Sequence, residues 1–191
     1  MALACAAPLA WLAFRAVTGG LGANPIEAIL NSTGYWTLVL LLLSLVPTPV
    51  RILTGWGGAI RWRRLVGLSA FGYAVLHFTT YALLDQALDL PAIVEDIVKR
   101  PFIAVGFAAL VLLVPLALTS NARAVRRLGF VRWQRWHRLV YVASVLGVIH
   151  FVWRVKADLR EPILFAGALA VLLGIRVADA VVRRARHPAA A

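Results

Sequence analysis

The chain has 191 residues, 62% of them hydrophobic, and a mean hydropathy of +0.83. Soluble domains contain about 45–50% apolar residues, so this composition excludes an ordinary soluble domain and indicates one compact membrane domain. The 20 Lys and Arg residues exceed the 8 Asp and Glu residues, and the single cysteine excludes an internal disulfide or a multi-cysteine metal site. That cysteine, Cys5, is expected to be a small buried residue.

Six apolar segments follow in chain order. A bilayer core of about 30 Å takes about 20 apolar residues as a helix, which predicts membrane helices at 2–18, 35–53, 64–84, 102–119, 136–156 and 162–181. The first has no basic region before it and is interpreted as a retained helix rather than a signal peptide. Pro47 and Pro49 end the second helix, and Pro101 and Pro162 lie where the fourth and sixth begin. The prediction is an all-α membrane bundle forming a single domain over residues 1–191.

Most basic residues fall on one side of this bundle. They lie in the ranges 51–64, 123–138 and 176–186, with Asp179 as the accompanying acid, whereas the other acids lie in the opposite connections. Basic residues mark cytoplasmic loops, so both termini are expected in the cytoplasm. This distribution argues against a nucleic-acid partner and in favour of a lipid bilayer. His187, in the arginine-rich tail, is expected to be solvated.

Segments three and five resemble each other and carry His77 and His150. RRLVGLSAFGYAVLHFTTY (63–81) and HRLVYVASVLGVIHFVWRV (137–155) each contain an arginine followed by Leu-Val and then, about three and a half turns later, a His-Phe pair. The rise from arginine to histidine is about 19.5 Å in one segment and about 18 Å in the other. Because both helices run from the cytoplasm outward, the two imidazoles are expected at nearly the same depth.

Two imidazoles at one depth can bind one haem iron from opposite faces, and a six-coordinate haem suits electron transfer. His77 and His150 are therefore the predicted shared axial ligands. Gly67, Gly72 and Gly147 could leave room for a flat macrocycle, although small residues also serve helix packing. The alternative is that the histidines bond to neighbouring helices or form a proton path, in a haem-free anchor or transporter.

His137 lies near the cytoplasmic boundary, about 19.5 Å from His150 along the helix axis. A straight helix does not place both histidines on one face, and segment three has arginines, not a histidine, at the level of His137. It is a candidate ligand of a second haem, a contact of a haem propionate or a quinone, or an interfacial histidine beside Trp133 and Trp136. The arginines in 123–138 could attract propionates or a flavin phosphate, although topology alone explains them.

Together these segments resemble the MsrQ (YedZ) family, the haem-binding membrane subunits of the bacterial periplasmic protein-methionine-sulfoxide reductase system. That family belongs to the ferric-reductase-like transmembrane group, which includes the NADPH oxidases. The resemblance covers nearly the whole chain and rests on GLGANPIEAI (20–29), RRLVGL (63–68), LHFTTYALL (76–84), KRPFIAVG (99–106), LALTSNA (116–122), RWQRWHRLVY (132–141) and IHFVWRVK (149–156).

The resemblance implies a six-helix b-type cytochrome of the inner membrane, with the family's three membrane histidines on His77, His137 and His150. It implies one or two haem b groups, and FMN, for which no residue can be named. Electrons would come from the quinone pool or a cytoplasmic flavin reductase and go to a periplasmic molybdenum-containing subunit that reduces methionine sulfoxide.

The chain itself is expected to be an electron-transfer subunit rather than the catalytic subunit. Its outer loops, 19–34, 85–100 and 157–161, are too short for a methionine-sulfoxide site but could form a docking face. It contains no GxGxxG or P-loop pattern. The alternative within redox proteins is a ferric reductase or an NADPH-oxidase-like protein with another acceptor.

Overall fold

Every regular element in the computed structural model is helical over the residues it describes, 1–155 and 157–186. The helices are α1 Ala2–Val17, α2 Pro25–Leu45, α3 Pro47–Thr54, α4 Arg63–Thr80, α5 Leu90–Lys99, α6 Pro101–Leu118, α7 Ala122–Leu128, α8 Phe130–His137, α9 Leu139–Arg154 and α10 Arg160–Arg186. A 3-10 turn, Gly58–Trp62, precedes α4, and a π-helical turn, Tyr81–Asp85, follows it. The all-α prediction is confirmed for this part of the chain, and His187 lies outside it.

Five stretches are long and apolar enough to cross a membrane. They are Pro25–Thr54, Gly58–Asp85, Pro101–Leu118, Phe130–Arg154 and Arg160–Arg186. These stretches correspond to the second to sixth predicted segments, and they make the chain a multi-pass membrane protein. The first predicted segment is a shorter apolar helix of 16 residues, α1. A total of six spans, and the side on which the termini lie, stay predictions.

Polar residues begin two helices where the sequence analysis expected loops. The Asn24 side chain accepts a hydrogen bond from the Glu27 N–H at 3.2 Å, and Pro25 occupies the first turn of α2. Asp89 accepts from the Ala92 N–H at 3.0 Å at the start of α5. The predicted start at residue 35 is therefore too late, and the expected loop 85–100 contains a helix.

Prolines interrupt the second span without ending it. α2 stops at Leu45 and α3 resumes at Pro47, so the predicted segment 35–53 is two helices in sequence. In a continuous helix the Leu45 carbonyl would accept from residue 49, but Pro49 has no N–H to donate. The guanidinium of Arg176 on α10 donates to that carbonyl instead. This bond ties α10 to the break between α2 and α3.

α1 is attached to α4 through the hydroxyl of Tyr73. This hydroxyl donates to the Cys5 carbonyl at 2.9 Å and accepts from the Leu9 N–H at 3.0 Å. In a regular helix those two backbone groups bond to each other, so the tyrosine inserts into the ladder of α1 next to Pro8. Cys5 is buried, as predicted.

The bundle is built from two helix pairs. α2 packs along α4, and α6 packs along α9, and these are the most extensive helix contacts in the described chain. We call the end where α4 and α9 begin the arginine-rich end and the end where they finish the opposite end. Apolar side chains from both pairs, among them Leu41, Ala70, Leu113 and Ala143, form one buried cluster near the arginine-rich end. The space between the pairs toward the opposite end is where the histidines lie.

The fifth predicted segment is not one straight helix. At Arg138 the backbone N–H bonds to the Arg135 carbonyl at 3.1 Å, and the Tyr141 N–H bonds to the Arg138 carbonyl at 3.0 Å. Bonds between residues three apart tighten the turn and separate α8 from α9. His137 therefore ends α8, while His150 lies on α9. The comparison of their faces on one straight helix, made from the sequence, therefore does not apply, because the two histidines lie on separate helices.

Candidate functional site

The structure brings His77 of α4 and His150 of α9 together between the two helix pairs. Their ring centroids are 6.2 Å apart, and the ring planes are inclined by 79°. The similar distances from the start of each helix produce this meeting, as the sequence analysis expected. Their role as metal ligands stays a prediction.

His77 is held by the first turns of α2. Its Nδ1 lies 3.0 Å from the carbonyl oxygen of Leu30 and 3.3 Å from Oγ1 of the buried Thr33. The ring lies against Gly34, where a Cβ would come within 3.0 Å of the imidazole Cε1. A larger residue at Gly34 would therefore have to move the ring away from the carbonyl.

His150 is held in the same way by α6. Its Nδ1 lies 2.6 Å from the carbonyl oxygen of Phe102, and a Cβ on Gly106 would lie 2.6 Å from the same nitrogen. In both helix pairs the glycine follows the carbonyl residue by four positions, so the two groups share one helix face. The separation between carbonyl residue and histidine is 47 positions in one pair and 48 in the other. The two helix pairs therefore hold their histidines by the same local arrangement, a backbone carbonyl and a glycine one helical turn apart.

The two carbonyls determine which ring nitrogen carries the proton. A carbonyl oxygen only accepts hydrogen bonds, so Nδ1 of His77 and Nδ1 of His150 must be the protonated nitrogens. Nε2 is then the nitrogen that keeps a lone pair in each neutral ring. A histidine that binds a metal commonly donates its other N–H to a carbonyl in this way. Both rings are therefore prepared to bind through Nε2.

The two rings line a cavity of about 330 Å³. Cavities that bind small molecules and cofactors have volumes of about 300–1,000 Å³, and this cavity falls in that range. Toward the arginine-rich end the cavity wall is apolar. It is formed there by Leu38, Leu41, Ala74, Ala109, Leu110, Leu113, Ala143 and Gly147. This wall excludes water from the inner side of the histidine pair.

The mouth of the cavity, toward the opposite end, is charged. Glu27 and Asp85 line it on the α2–α4 side, and Arg100 and Arg154 line it on the α6–α9 side. The Arg154 guanidinium donates to the Asn31 side chain. The cavity is thus polar at one end only.

Arg100 is part of a separate polar network beside the mouth. Its Nε lies 3.1 Å from a carboxylate oxygen of Asp96, and the Tyr81 hydroxyl donates to the other oxygen of that carboxylate at 3.1 Å. The Gln86 amide lies 3.4 Å from the same oxygen as the tyrosine. Asp96 therefore already neutralises much of the Arg100 charge.

The donor set suits haem iron better than a free ion. The described residues contain no group of three or more His, Cys, Asp or Glu side chains that could hold a metal ion, and a zinc site needs at least three protein ligands. Haem iron needs only two axial ligands, because the macrocycle supplies the others. An imidazole nitrogen binds a transition metal at about 2 Å and lies about 1 Å from its ring centre, so opposed imidazoles on one metal have centroids about 6 Å apart. The observed 6.2 Å fits that arrangement.

His137 lies outside this cavity. Its ring packs on Trp133 with centroids 3.9 Å apart, and its Nδ1 lies 3.1 Å from the Trp133 carbonyl oxygen. Its Nε2 lies 3.4 Å from Oγ of Ser120, near the end of α6. The structure thus places His137 beside one of the two tryptophans named from the sequence and brings no second histidine to it among the described residues.

Sequence reasoning chose different glycines from those that touch the histidines. Gly147 lines the cavity, but Gly72 lines a groove beside α1, and the nearest side chain to Gly67 is Ser44 of α2. Gly34 and Gly106 were missed. The spacing of four between a candidate carbonyl and a glycine is too common in apolar helices to single them out without the packing of α2 on α4 and α6 on α9.

Comparison with known proteins gives the class to which this chain belongs. Residues 33–148 match the family model described as ferric reductase like transmembrane component. That range includes His77 and His137 and ends two residues before His150, and it places the chain among the ferric-reductase-like transmembrane proteins.

Similar proteins give the family within that class. The chain is 56% identical over 182 residues to the protein-methionine-sulfoxide reductase heme-binding subunit MsrQ of Rhodospirillum rubrum, covering 95% of this chain and 88% of that protein. It is 49% identical over 191 residues to the MsrQ of Herminiimonas arsenicoxydans, covering 99% and 88%. It is 52% identical over 172 residues to the MsrQ of Ralstonia nicotianae, covering 89% and 79%. The chain belongs to the MsrQ family. No solved structure matches it.

Proposed function

We propose that the chain is the haem-binding electron-transfer subunit of a protein-methionine-sulfoxide reductase system in the bacterial inner membrane. The assignment to this reductase system is based on the relatives, each of which is named as its heme-binding subunit. The proposal treats residues 1–191 as one ferric-reductase-like transmembrane domain with six membrane helices. It gives this chain the task of carrying electrons and leaves sulfoxide reduction to a partner.

The observation that carries the proposal is the meeting of His77 and His150. Both rings keep Nε2 free because a backbone carbonyl accepts from Nδ1, and both face a cavity of cofactor size. We assign them as the axial ligands of one haem b, which supplies one-electron redox chemistry when it is bound. The residues orient the imidazoles, hold the proton on Nδ1, and keep water from the apolar side of the cavity.

The direction of transfer is also part of the proposal. Positive residues mark cytoplasmic connections, so the arginine-rich end would face the cytoplasm and the histidine pair would lie nearer the periplasm. Electrons would enter from the quinone pool or a cytoplasmic flavin reductase and leave to a periplasmic molybdenum-containing subunit. Reduction of a sulfoxide needs two electrons and haem carries one, so that partner must accumulate them.

Two further assignments rest on the resemblance. His137, near the cytoplasmic end, would bind a second haem or contact a cofactor on the path from the donor. FMN would belong to the same donor side, and no residue is assigned to it. The position of His137 against Trp133, away from the cavity, agrees with a role separate from that of the His77–His150 pair.

Haem stoichiometry of the purified protein tests the proposal. The protein is extracted in detergent, and haem is measured by the pyridine haemochrome assay beside oxidised and reduced spectra. We expect one or two haem b per chain. His77→Ala and His150→Ala should each abolish the haem of the pair, since one remaining imidazole cannot hold six-coordinate iron.

The His137→Ala variant provides the comparison. It should keep the haem of the pair and lose reduction by the donor. Haem content equal to wild type in either His77→Ala or His150→Ala would overturn the assignment of the two histidines as shared ligands. Absence of haem from wild type, expressed with haem supplied, would leave a proton path or a membrane anchor instead.

A further inference from the structure

We infer that the mouth of the cavity is a binding site for the carboxylates of the cofactor, with Arg154 as the main anchor. The inference rests on the proposed function and adds an orientation to it. The macrocycle would lie with its carboxylate edge toward the opposite end of the bundle and its apolar edge toward the arginine-rich end.

The position of the ligands limits the cofactor to two orientations along the bundle. Axial ligands lie on opposite faces of a haem, and His77 and His150 reach the cavity from two different helix pairs at one level. The plane of a macrocycle held by both rings would then run along the helices. Along the bundle axis, its carboxylate edge could then point toward the apolar wall or toward the mouth.

Desolvation decides between these two directions. At the inner side a carboxylate would meet side chains such as Leu41, Leu110 and Leu113, which offer no hydrogen-bond donor. Burial of an ionised carboxylate without a partner is strongly unfavourable. At the mouth, a carboxylate meets arginine donors and solvent, so the outward orientation is the stable one.

Arg154 is better placed for this role than Arg100. It lies four residues beyond His150 on α9, about 6 Å further along the helix axis, and it lines the same cavity. Asn31 is its hydrogen-bond partner, and no carboxylate of the described residues forms an ion pair with it, whereas Arg100 is paired with Asp96. A guanidinium binds carboxylates through paired N–H groups.

The two acidic residues at the mouth favour one side of it for a carboxylate and do not remove the attraction of Arg154. Glu27 and Asp85 lie on the α2–α4 side, across the mouth from Arg154. They repel a carboxylate from that side and so favour its approach to α9. The arginines in the range 123–138, considered from the sequence as propionate contacts, do not line this cavity.

Affinity for a porphyrin with blocked carboxylates tests the inference. The full chain is purified in detergent from cells that cannot make haem, then titrated with iron protoporphyrin IX or with its dimethyl ester. Wild type should bind the free acid at least about tenfold more tightly than the ester, because a hydrogen bond to a charged group is lost in the ester. Arg154→Gln should remove most of that preference while keeping a spectrum of two axial histidines, and Arg154→Lys should retain part of it.

Arg160→Gln is the matched control. Arg160 lies toward the same end of the bundle, is exposed, and does not line the cavity, so its variant should show the wild-type preference. The inference is wrong if wild type binds acid and ester equally, or if Arg154→Gln, folded by its size-exclusion profile, keeps the full preference. Failure of wild type to bind either porphyrin would instead defeat the proposed function.

Discussion

Gly34 and Gly106 determine how closely each histidine approaches the carbonyl that holds it. At Gly106 the space is smaller, since an added Cβ would lie 2.6 Å from His150 Nδ1, compared with 3.0 Å from His77 Cε1 at Gly34. Under the proposed function, the histidine ring has little freedom to withdraw, because it must stay within reach of both the carbonyl and the haem iron. A single methyl group is therefore expected to disturb ligand geometry.

We predict that Gly106→Ala lowers haem retention more than Gly34→Ala does, with both below wild type. The added Cβ must displace the imidazole from the Phe102 carbonyl and so tilt Nε2 away from its binding direction. Haem per chain after purification and the low-spin absorption spectrum measure the effect.

Gly167→Ala on α10 serves as the control for this pair of variants. No neighbouring atom lies within 4 Å of a Cβ there, so haem retention should equal that of wild type. If Gly106→Ala also binds haem as wild type does, the ring is not confined in the way that the structure indicates.

At the scale of a single residue, the sequence was sufficient to predict that His77 and His150 lie at the same level of the bundle. Their matched rise from similar helix starts needs only the geometry of the α-helix. The partners of the rings could not be predicted, because Leu30 and Phe102 act through backbone carbonyls, which every residue has. Arg154 was missed for another reason, since its importance comes from the cavity it lines.

The break between α2 and α3 leads to a prediction at the scale of the helix. Arg176→Met removes the donor that satisfies the Leu45 carbonyl, which Pro49 leaves without its helical partner. Leaving a buried carbonyl unpaired costs about 1–3 kcal/mol. The free energy of unfolding in detergent should fall by about that amount.

Pro49→Ala provides the test of this explanation. Alanine restores an N–H at position 49, which can bond to the Leu45 carbonyl in a continuous helix. Arg176→Met should therefore destabilise the Pro49→Ala protein less than it destabilises wild type. The contact of Arg176 with the Tyr141 ring, at 5.5 Å, is lost equally in both backgrounds. Equal losses of stability would show that the carbonyl bond contributes nothing.

The presence of the long helices could be predicted from the length of the apolar segments, but the residues at which the helices begin and end could not. The polar stretch before residue 35 was interpreted as a loop, although Asn24 and Glu27 form the cap that begins α2. The short helices α5, α7 and α8 were missed because they lie within connections, where hydropathy gives no signal. α5 carries exposed Leu90, Val94 and Val98 along one face, a pattern that needs the tertiary structure to be recognised as a surface helix.

For the molecule as a whole, we predict that the arginine-rich end faces the cytoplasm. Alkaline phosphatase is active only outside the cytoplasm, so a fusion after Asp158, between α9 and α10, should be active, and a fusion after Arg123, in α7, should be inactive. Green fluorescent protein fused after the C-terminus should fluoresce. An inactive Asp158 fusion with an active Arg123 fusion would reverse the orientation and, with it, the proposed direction of electron flow.

The class of the molecule could be predicted from composition and the order of its motifs, whereas the arrangement of helices in pairs could not. The similarity of 63–81 to 137–155 indicated two related helices but not their packing partners. α2 and α6 carry no sequence signal of their own for this role. Their pairing with α4 and α9 comes from close packing along the whole helix length, which single-sequence patterns do not record.

The arrangement of the bundle as two helix pairs has a consequence for the order in which the protein folds during its insertion into the membrane. During synthesis, α2 and α4 can associate as soon as both have left the ribosome, and this first hairpin already holds His77 against the Leu30 carbonyl. The second imidazole arrives only with α9, near the end of the chain. Under the proposed function, haem capture by the pair is therefore a late event of biogenesis, and a product truncated before α9 is predicted to lack the haem of the pair.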